Sequence, residues 1–234
     1  MARKRIRSDK GWSTADKIVV CGKDLPGEIL GKLDLGDMAF LELTGRTPNE
    51  KESRVFNAMV VTLVEHGITP SAIAARLTYL GAPEALQAAV AAGLCGLGSV
   101  FVGSTEHVAK MLSENTDPNT LKKVPGLGHP IHKPIDPRTV RLFEIARETG
   151  FYGKYCKRME QIAAEKKLVL NATGAIGALA CELGLDWRAV RGLGVMARAV
   201  GLVGHLLEEA REPMAEEIWY RIEEEASSHL KPKN

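Results

Sequence analysis

From residue 26 onward the chain holds no useful stretch in which apolar and polar residues alternate, so it offers nothing from which to build a sheet there. Helical spacing recurs instead. Val55, Phe56, Met59, Val60, Leu63 and Val64 come in adjacent pairs four residues apart, which puts them on one helical face. Thr47-Pro48-Asn49-Glu50 reads as the start of that helix, with Thr47 as cap, Pro48 at the first helical position and Glu50 closing a capping box. Its end falls near Gly67. Asp136 is expected to cap a helix over Pro137–Thr149 that Gly150 stops. Further helices are expected over Ser71–Leu80, Glu106–Glu114, Lys154–Lys166, Gly174–Leu183, Asp186–Gly204 and Glu212–Ser228. Lys17–Cys21 (KIVVC) is β-branched and reads as a small strand or hairpin arm before a turn at Gly22–Pro26. The expected fold class is all-α, with at most a short N-terminal β element.

Composition fits closely packed helices. Aromatic residues make up only 5%, while Gly, Ala and Leu are abundant, and Pro83–Leu97 is rich in alanine and glycine. A formal charge of +2 supplies no large basic field, so nucleic acid is not implied. Residues 1–15 read as a solvated basic tail (Arg3, Lys4, Arg5, Arg7, Lys10). No apolar run of the signal-peptide kind follows those charges, and no stretch reaches the roughly 18 uninterrupted apolar residues of a spanning helix. Neither membrane nor nucleic acid is therefore expected as a partner. Cys21, Cys95, Cys156 and Cys181 form no CxxC pair, which points to reduced thiols in a cytoplasmic protein. The histidines show no metal-ligand spacing, and no metal is expected.

Four segments carry chemistry. In Val124–Arg138, VPGLGHPIHKPIDPR, His129 follows a Pro-Gly-Leu-Gly loop, and Lys133 and Arg138 lie within ten residues of it. An imidazole there can move a proton, and the two cations can bind carboxylate or phosphate. These residues fit an ordinary surface loop equally well, and His132 reads as solvated. In Leu41–Arg76, His66 sits at a helix end within Glu65-His66-Gly67, where the helix dipole alone would favour a histidine. In Ala91–Leu112 the string GSVFVGS carries Phe101, a residue for the core or for a site. In Leu168–Glu209, Arg191, Arg198 and His205 recur every seven residues on nearly one helical face. A buried arginine there needs a partner, either an anionic ligand or an acidic side chain.

In this order the four segments resemble the citrate synthase superfamily, and within it the short citryl-CoA lyase-like proteins and the citryl-CoA lyase module of ATP-citrate lyase. LELTGRTPNE…EHG…AR resembles the "LLTGR-P-E-E … DHG … AR" segment, and NATGAIGALACELG…ARAVGLVGHLLEE resembles the "NVDG-I-A-LL-LG … ARA-G---H--EE" tail. The resemblance implies a large helical domain (16–102 and 196–234) with a smaller mobile one (103–195), in a homodimer or higher homo-oligomer. The Pro83–Leu97 helix is then a candidate for the dimer interface. It implies cleavage of a 3-hydroxy-3-carboxyacyl-CoA of the citryl-CoA type into an oxo-acid and acetyl-CoA. The alternatives are a condensing enzyme of altered specificity and a catalytically lapsed CoA-thioester-binding protein. CoA enters as part of the substrate, with no permanently bound cofactor, and the partner is a small oxo- or hydroxy-acid. His129 would take the proton of the substrate hydroxyl. Arg138, Arg198 and His66 would hold the acid, with Phe101 beside it, while Pro125, Gly126, Leu127, Gly128 and Lys133 would hold CoA.

Three departures bear on the mechanism. Thr173 stands where relatives carry the aspartate that moves the acetyl methyl proton, and a threonine hydroxyl scarcely ionises near pH 7. Its expected role is to position a water. Phe101 stands where synthases carry a histidine. The C-terminal R-P-x-x-Y string of relatives is replaced by Glu216-Glu217-Ile218-Trp219-Tyr220.

Overall fold

The computed structural model describes residues 6–231. Arg3, Lys4 and Arg5 of the expected basic tail lie outside the described residues. The chain begins with a small antiparallel sheet, β1 (Gly11–Ser13), β2 (Ile18–Val20) and β3 (Lys23–Asp24), in that order, with Trp12 opposite Val19. Cys21 and Gly22, at φ 47° and 78°, make the two-residue turn between β2 and β3. The KIVVC run is thus the middle strand of a meander. A single π-turn, Leu25–Ile29, leads into the helices.

Ten α-helices follow among the described residues: α1 (Leu35–Thr44), α2 (Glu50–Val64), α3 (Pro70–Gly81), α4 (Leu86–Cys95), α5 (Gly103–Ser113), α6 (Pro137–Thr149), α7 (Lys154–Lys166), α8 (Ala172–Glu182), α9 (Trp187–Arg211) and α10 (Ala215–Ser227). Helix α1 was not expected, although Asp34 caps it and Gly45 ends it at φ 78°. Gly36 hides its pattern, and that glycine is required because a Cβ would run into the Asn57 side chain. The start of α2 is corrected from Thr47 to Asn49. Asn49 accepts the amides of Lys51 and Glu52, and Glu52 accepts the amide of Asn49 in return, so the capping box lies two residues further on. Helices α6 and α7 occupy the expected spans. Helix α9 runs past Gly204 to Arg211, because Leu202, His205, Leu206 and Glu209 remain buried beyond the expected stop.

Helix α8 organises the core. Ala172 and Gly174 through Ala180 are all buried, and its glycines let neighbours come close: a Cβ on Gly177 would fall 2.6 Å from Val108 of α5. Around it, one hydrophobic cluster joins Phe40, Phe56 and Met59 of α1 and α2 to Leu142, Met159, Leu179 and Leu193. A smaller cluster, Ala75, Ala89, Leu202 and Leu206, joins α3 and α4 to the second half of α9. The larger cluster draws residues from both sides of residue 103. Helix α9 is long and apolar enough in composition to cross a membrane, but half of its most apolar window is buried among the other helices.

Candidate active site

The histidine loop is fastened to the segment before α8. Gly128 N donates to Val169 O (2.7 Å), Asn171 N to Gly126 O (3.0 Å), and Asn171 Nδ2 to Gly128 O (2.7 Å). Thr139 Oγ1 donates to Leu170 O (3.0 Å). Gly126, at φ 78°, packs backbone to backbone against the start of α8: a Cβ there would lie 2.5 Å from Gly174 Cα. Asp136, fully buried, accepts Ala172 N (3.0 Å), Arg138 N (3.0 Å), and a two-pronged pairing from Arg138 Nε (3.0 Å) and Nη2 (2.8 Å). Burial pushes its carboxyl upward, but the Arg138 side chain, its amide and its charge, with the Ala172 amide, hold it below the ordinary value.

His129 stands on this frame. Its Nδ1 accepts the amides of Ile131 (3.2 Å) and His132 (3.0 Å). A neutral imidazole has one N–H, so these two donors fix the proton on Nε2. Nε2 lies 3.3 Å from Arg138 Nη2, which is also a donor. Two N–H groups therefore converge with no acceptor between them. The imidazole of His129 titrates below the ordinary histidine value. Burial lowers its pKa first, then the charges of His132, Arg138 and His66, with Asp136 acting the other way. His132, expected to be solvated, stacks on His129 at 4.4 Å between ring centroids.

His66 reaches the same place from the end of α2, its ring centroid 6.3 Å from that of His129. It is exposed, and neither ring nitrogen has a hydrogen-bond partner among the described residues. Its turn is held by Glu65, whose Oε1 accepts the amides of His66 (2.8 Å) and Gly67 (2.5 Å).

The α9 face divides. Arg191 pairs with Glu106, and His205 pairs with Glu65 (3.1 Å). Among the described residues, Arg198, 7% exposed, has no carboxylate in ion-pair range, only long contacts to Leu63 O and Thr69 Oγ1, both at 3.4 Å. Burial holds its guanidinium below the usual arginine range, with the charge of Glu65 acting against it. Thus acidic side chains partner Arg191 and His205 on this face, and Arg198 is left without one among the described residues.

The remaining expected residues are less concentrated. Thr173 Oγ1 donates to Asn171 Oδ1 (2.7 Å), leaving its lone pairs to accept from a ligand. Phe101 lies in the loop between α4 and α5, 47% exposed, and is not a core residue. Gly126 and Leu127 are buried against residues 169–174, whereas Pro125 and Gly128 are half-buried and Lys133 is exposed. Sequence reasoning missed Asp136 as an anchor, Glu65 as a clamp and His132 as a support. The i, i+3 spacing of His129 and His132 was the one available signal for His132. Among the described residues, no three His, Cys, Asp or Glu side chains group to hold a metal ion.

A family model for the citrate synthase C-terminal domain matches residues 31–221. The chain belongs to the citrate synthase family. It is 25% identical over 185 residues to citrate synthase 2 of Bacillus subtilis, covering 71% of this chain and 50% of that protein. It is 26% identical over 240 residues to a probable ATP-citrate synthase of Dictyostelium discoideum, covering 88% and 38%. The chain therefore spans half or less of these curated relatives. Among solved structures, citryl-CoA lyase from Hydrogenobacter thermophilus is 36% identical with a TM-score of 0.81, covering 88% of this chain and 87% of that one. An ATP citrate lyase from Methanosaeta concilii, in complex with (3S)-citryl-CoA, shares the fold at 22% identity and a TM-score of 0.73, covering 90% and 40%. The citrate synthase-like all-α fold is thus the one expected.

Proposed function

We propose that this chain is a citryl-CoA lyase-like C–C lyase, cleaving a 3-hydroxy-3-carboxyacyl-CoA into an oxo-acid and acetyl-CoA. The observation that carries the reading is the 36% identity to a citryl-CoA lyase across 87% of that protein's length. In the cleavage, the hydroxyl oxygen becomes a carbonyl as its proton leaves. The C–C bond breaks, and its electron pair passes to the acetyl carbon as an enolate that is then protonated.

The proton roles differ from the simplest expectation. A His129 whose Nδ1 is held by two amides cannot accept a second proton without turning N–H against N–H. We assign its Nε2–H, with Arg138, to the substrate oxygen, where the two donors stabilise the charge that develops. His66 then takes the hydroxyl proton. An oxygen lying between rings 6.3 Å apart is within reach of both. Arg198 holds a carboxylate, and Thr173 positions the water that protonates the enolate. Lys133, Gly128 and Pro125 meet CoA, which arrives with the substrate, and Phe101 borders the site.

We also propose a homodimer, in which a second copy covers α4 and the exposed row Val200, Val203 and Leu207 of α9. The four free cysteines agree with a cytoplasmic setting.

The test is direct. The protein is incubated with (3S)-citryl-CoA, and oxo-acid release is followed by reduction in a coupled assay. Release is the expected result. Binding of the thioester with no release would favour the lapsed binding protein, for which Thr173 in place of an acid is the supporting observation.

A further inference from the structure

A chain of buried side chains ends at the His66 turn. Arg76 of α3, fully buried, donates through Nη1 to Glu209 (2.7 Å), and through Nη2 to Glu208 and to Nδ1 of His205 (3.0 Å). Arginine can only donate, so His205 Nδ1 accepts and the proton of a neutral ring sits on Nε2. That Nε2 lies 3.1 Å from Glu65 Oε1, the oxygen that also accepts the His66 and Gly67 amides. Gly201 permits the approach: a Cβ there would overlap the Val64 carbonyl and lie 3.1 Å from Glu65 Oε2. The hydrogen bonds within this turn are those two amides to Glu65 and Thr69 N to Gly67 O (2.9 Å).

We propose that His205 is a positioning residue for His66. It pins the half-exposed Glu65 carboxylate, which in turn fixes the turn that aims the His66 ring at His129. Without the Nε2–H donor, Glu65 is free to swing toward water or toward Arg198. The first moves His66, and an ångström-scale misplacement is costly to a reacting geometry. The second quenches the Arg198 guanidinium, to which a substrate carboxylate is assigned. His205 therefore acts through Glu65 and touches no substrate, unlike Arg198 on the same face. The inference rests on the lyase reading for its kinetic consequence, but not for its geometry.

The experiment compares His205→Leu with His205→Gln in the full chain, by citryl-CoA cleavage and by NMR of the histidine rings. Leucine removes both hydrogen bonds, whereas glutamine keeps an N–H donor for Glu65 and an acceptor for Arg76. For His205→Leu, kcat/KM is expected to fall roughly ten- to a hundred-fold, the scale of one charge-assisted hydrogen bond, with kcat lowered and KM raised. The His66 resonances should shift while those of His129 stay, and glutamine should restore most of both. Unmoved His66 resonances in the leucine variant would overturn the proposal, as would a glutamine variant no better than leucine. If the wild-type chain cleaves no citryl-CoA, the lyase reading fails and the ring spectra still decide this one. If His205→Leu does not fold, Glu65→Ala at the more exposed end must shift His66 in the same way.

Discussion

The two histidines that face each other are held in opposite ways. His129 sits on a loop locked to residues 169–174, with both hydrogen-bond donors to its Nδ1 coming from its own backbone turn and Asp136 buried beneath Arg138. His66 sits on an exposed turn tied by one carboxylate, which is itself tied by a residue 140 positions away. The rigid side can only donate. The looser side has an imidazole whose nitrogens have no partner among the described residues. The proposed cleavage calls for both kinds of support, at a forming carbonyl and at a departing proton, and this fold draws them from a locked loop and an exposed turn.

That contrast can be broken at several points. Asp136→Ala should be the most damaging change, because it leaves Arg138 facing a buried, emptied position. A loss of about 3–5 kcal/mol is expected for such a broken pair, read from the shift in a urea or guanidinium midpoint. An unchanged midpoint would mean that the loop is not anchored there. Next, His129→Ala should lower kcat by roughly 10²–10³-fold, the usual cost of one oxyanion donor. Full retained activity would remove His129 from the mechanism.

Paired glycine substitutions sharpen the comparison of the two turns. Gly67→Ala meets nothing within 4 Å, so its cost at φ 72° should be about 1–2 kcal/mol of left-handed strain. Gly126→Ala carries the same strain plus a 2.5 Å backbone clash, and its stability loss must be clearly larger. Equal losses would show that the tight loop contact gives way easily. The smallest effect is that of pH. His129 has its pKa lowered from 6.5, so an unfolded chain takes up that proton before the folded one does. Its contribution to stability is full above pH 6.5 and is lost as pH falls through the lower folded value. Denaturation midpoints of wild type and His129→Gln between neutral and mildly acidic pH should converge as the pH drops.

Much of the fold was legible because its signals are local. Asp136 and Gly150 bracket α6, and the result matches residue for residue. Helix α1 escaped because a glycine chosen for tertiary contact blurs its periodicity, and the α2 cap was misread because Thr-Pro and Asn-Glu are both valid starts. Of the candidate site, chain order singles out His129, His66 and Arg198, and the fold sets the first two rings 6.3 Å apart. The partners that decide what those residues do were not. His205 meets Glu65 and Arg76 across more than 100 residues of sequence, and no spacing rule connects them.

Glu209 ties the buried Arg76 to the C-terminal helix. Its carboxylate joins buried Arg76 and also accepts the amides of Met214 and Ala215, so it doubles as the cap of α10. A chain trimmed after residue 212 would keep every helix that carries a candidate site residue, yet lose the two amides that orient this carboxylate. Fusion partners and affinity tags are therefore better appended beyond α10 than grafted in place of it.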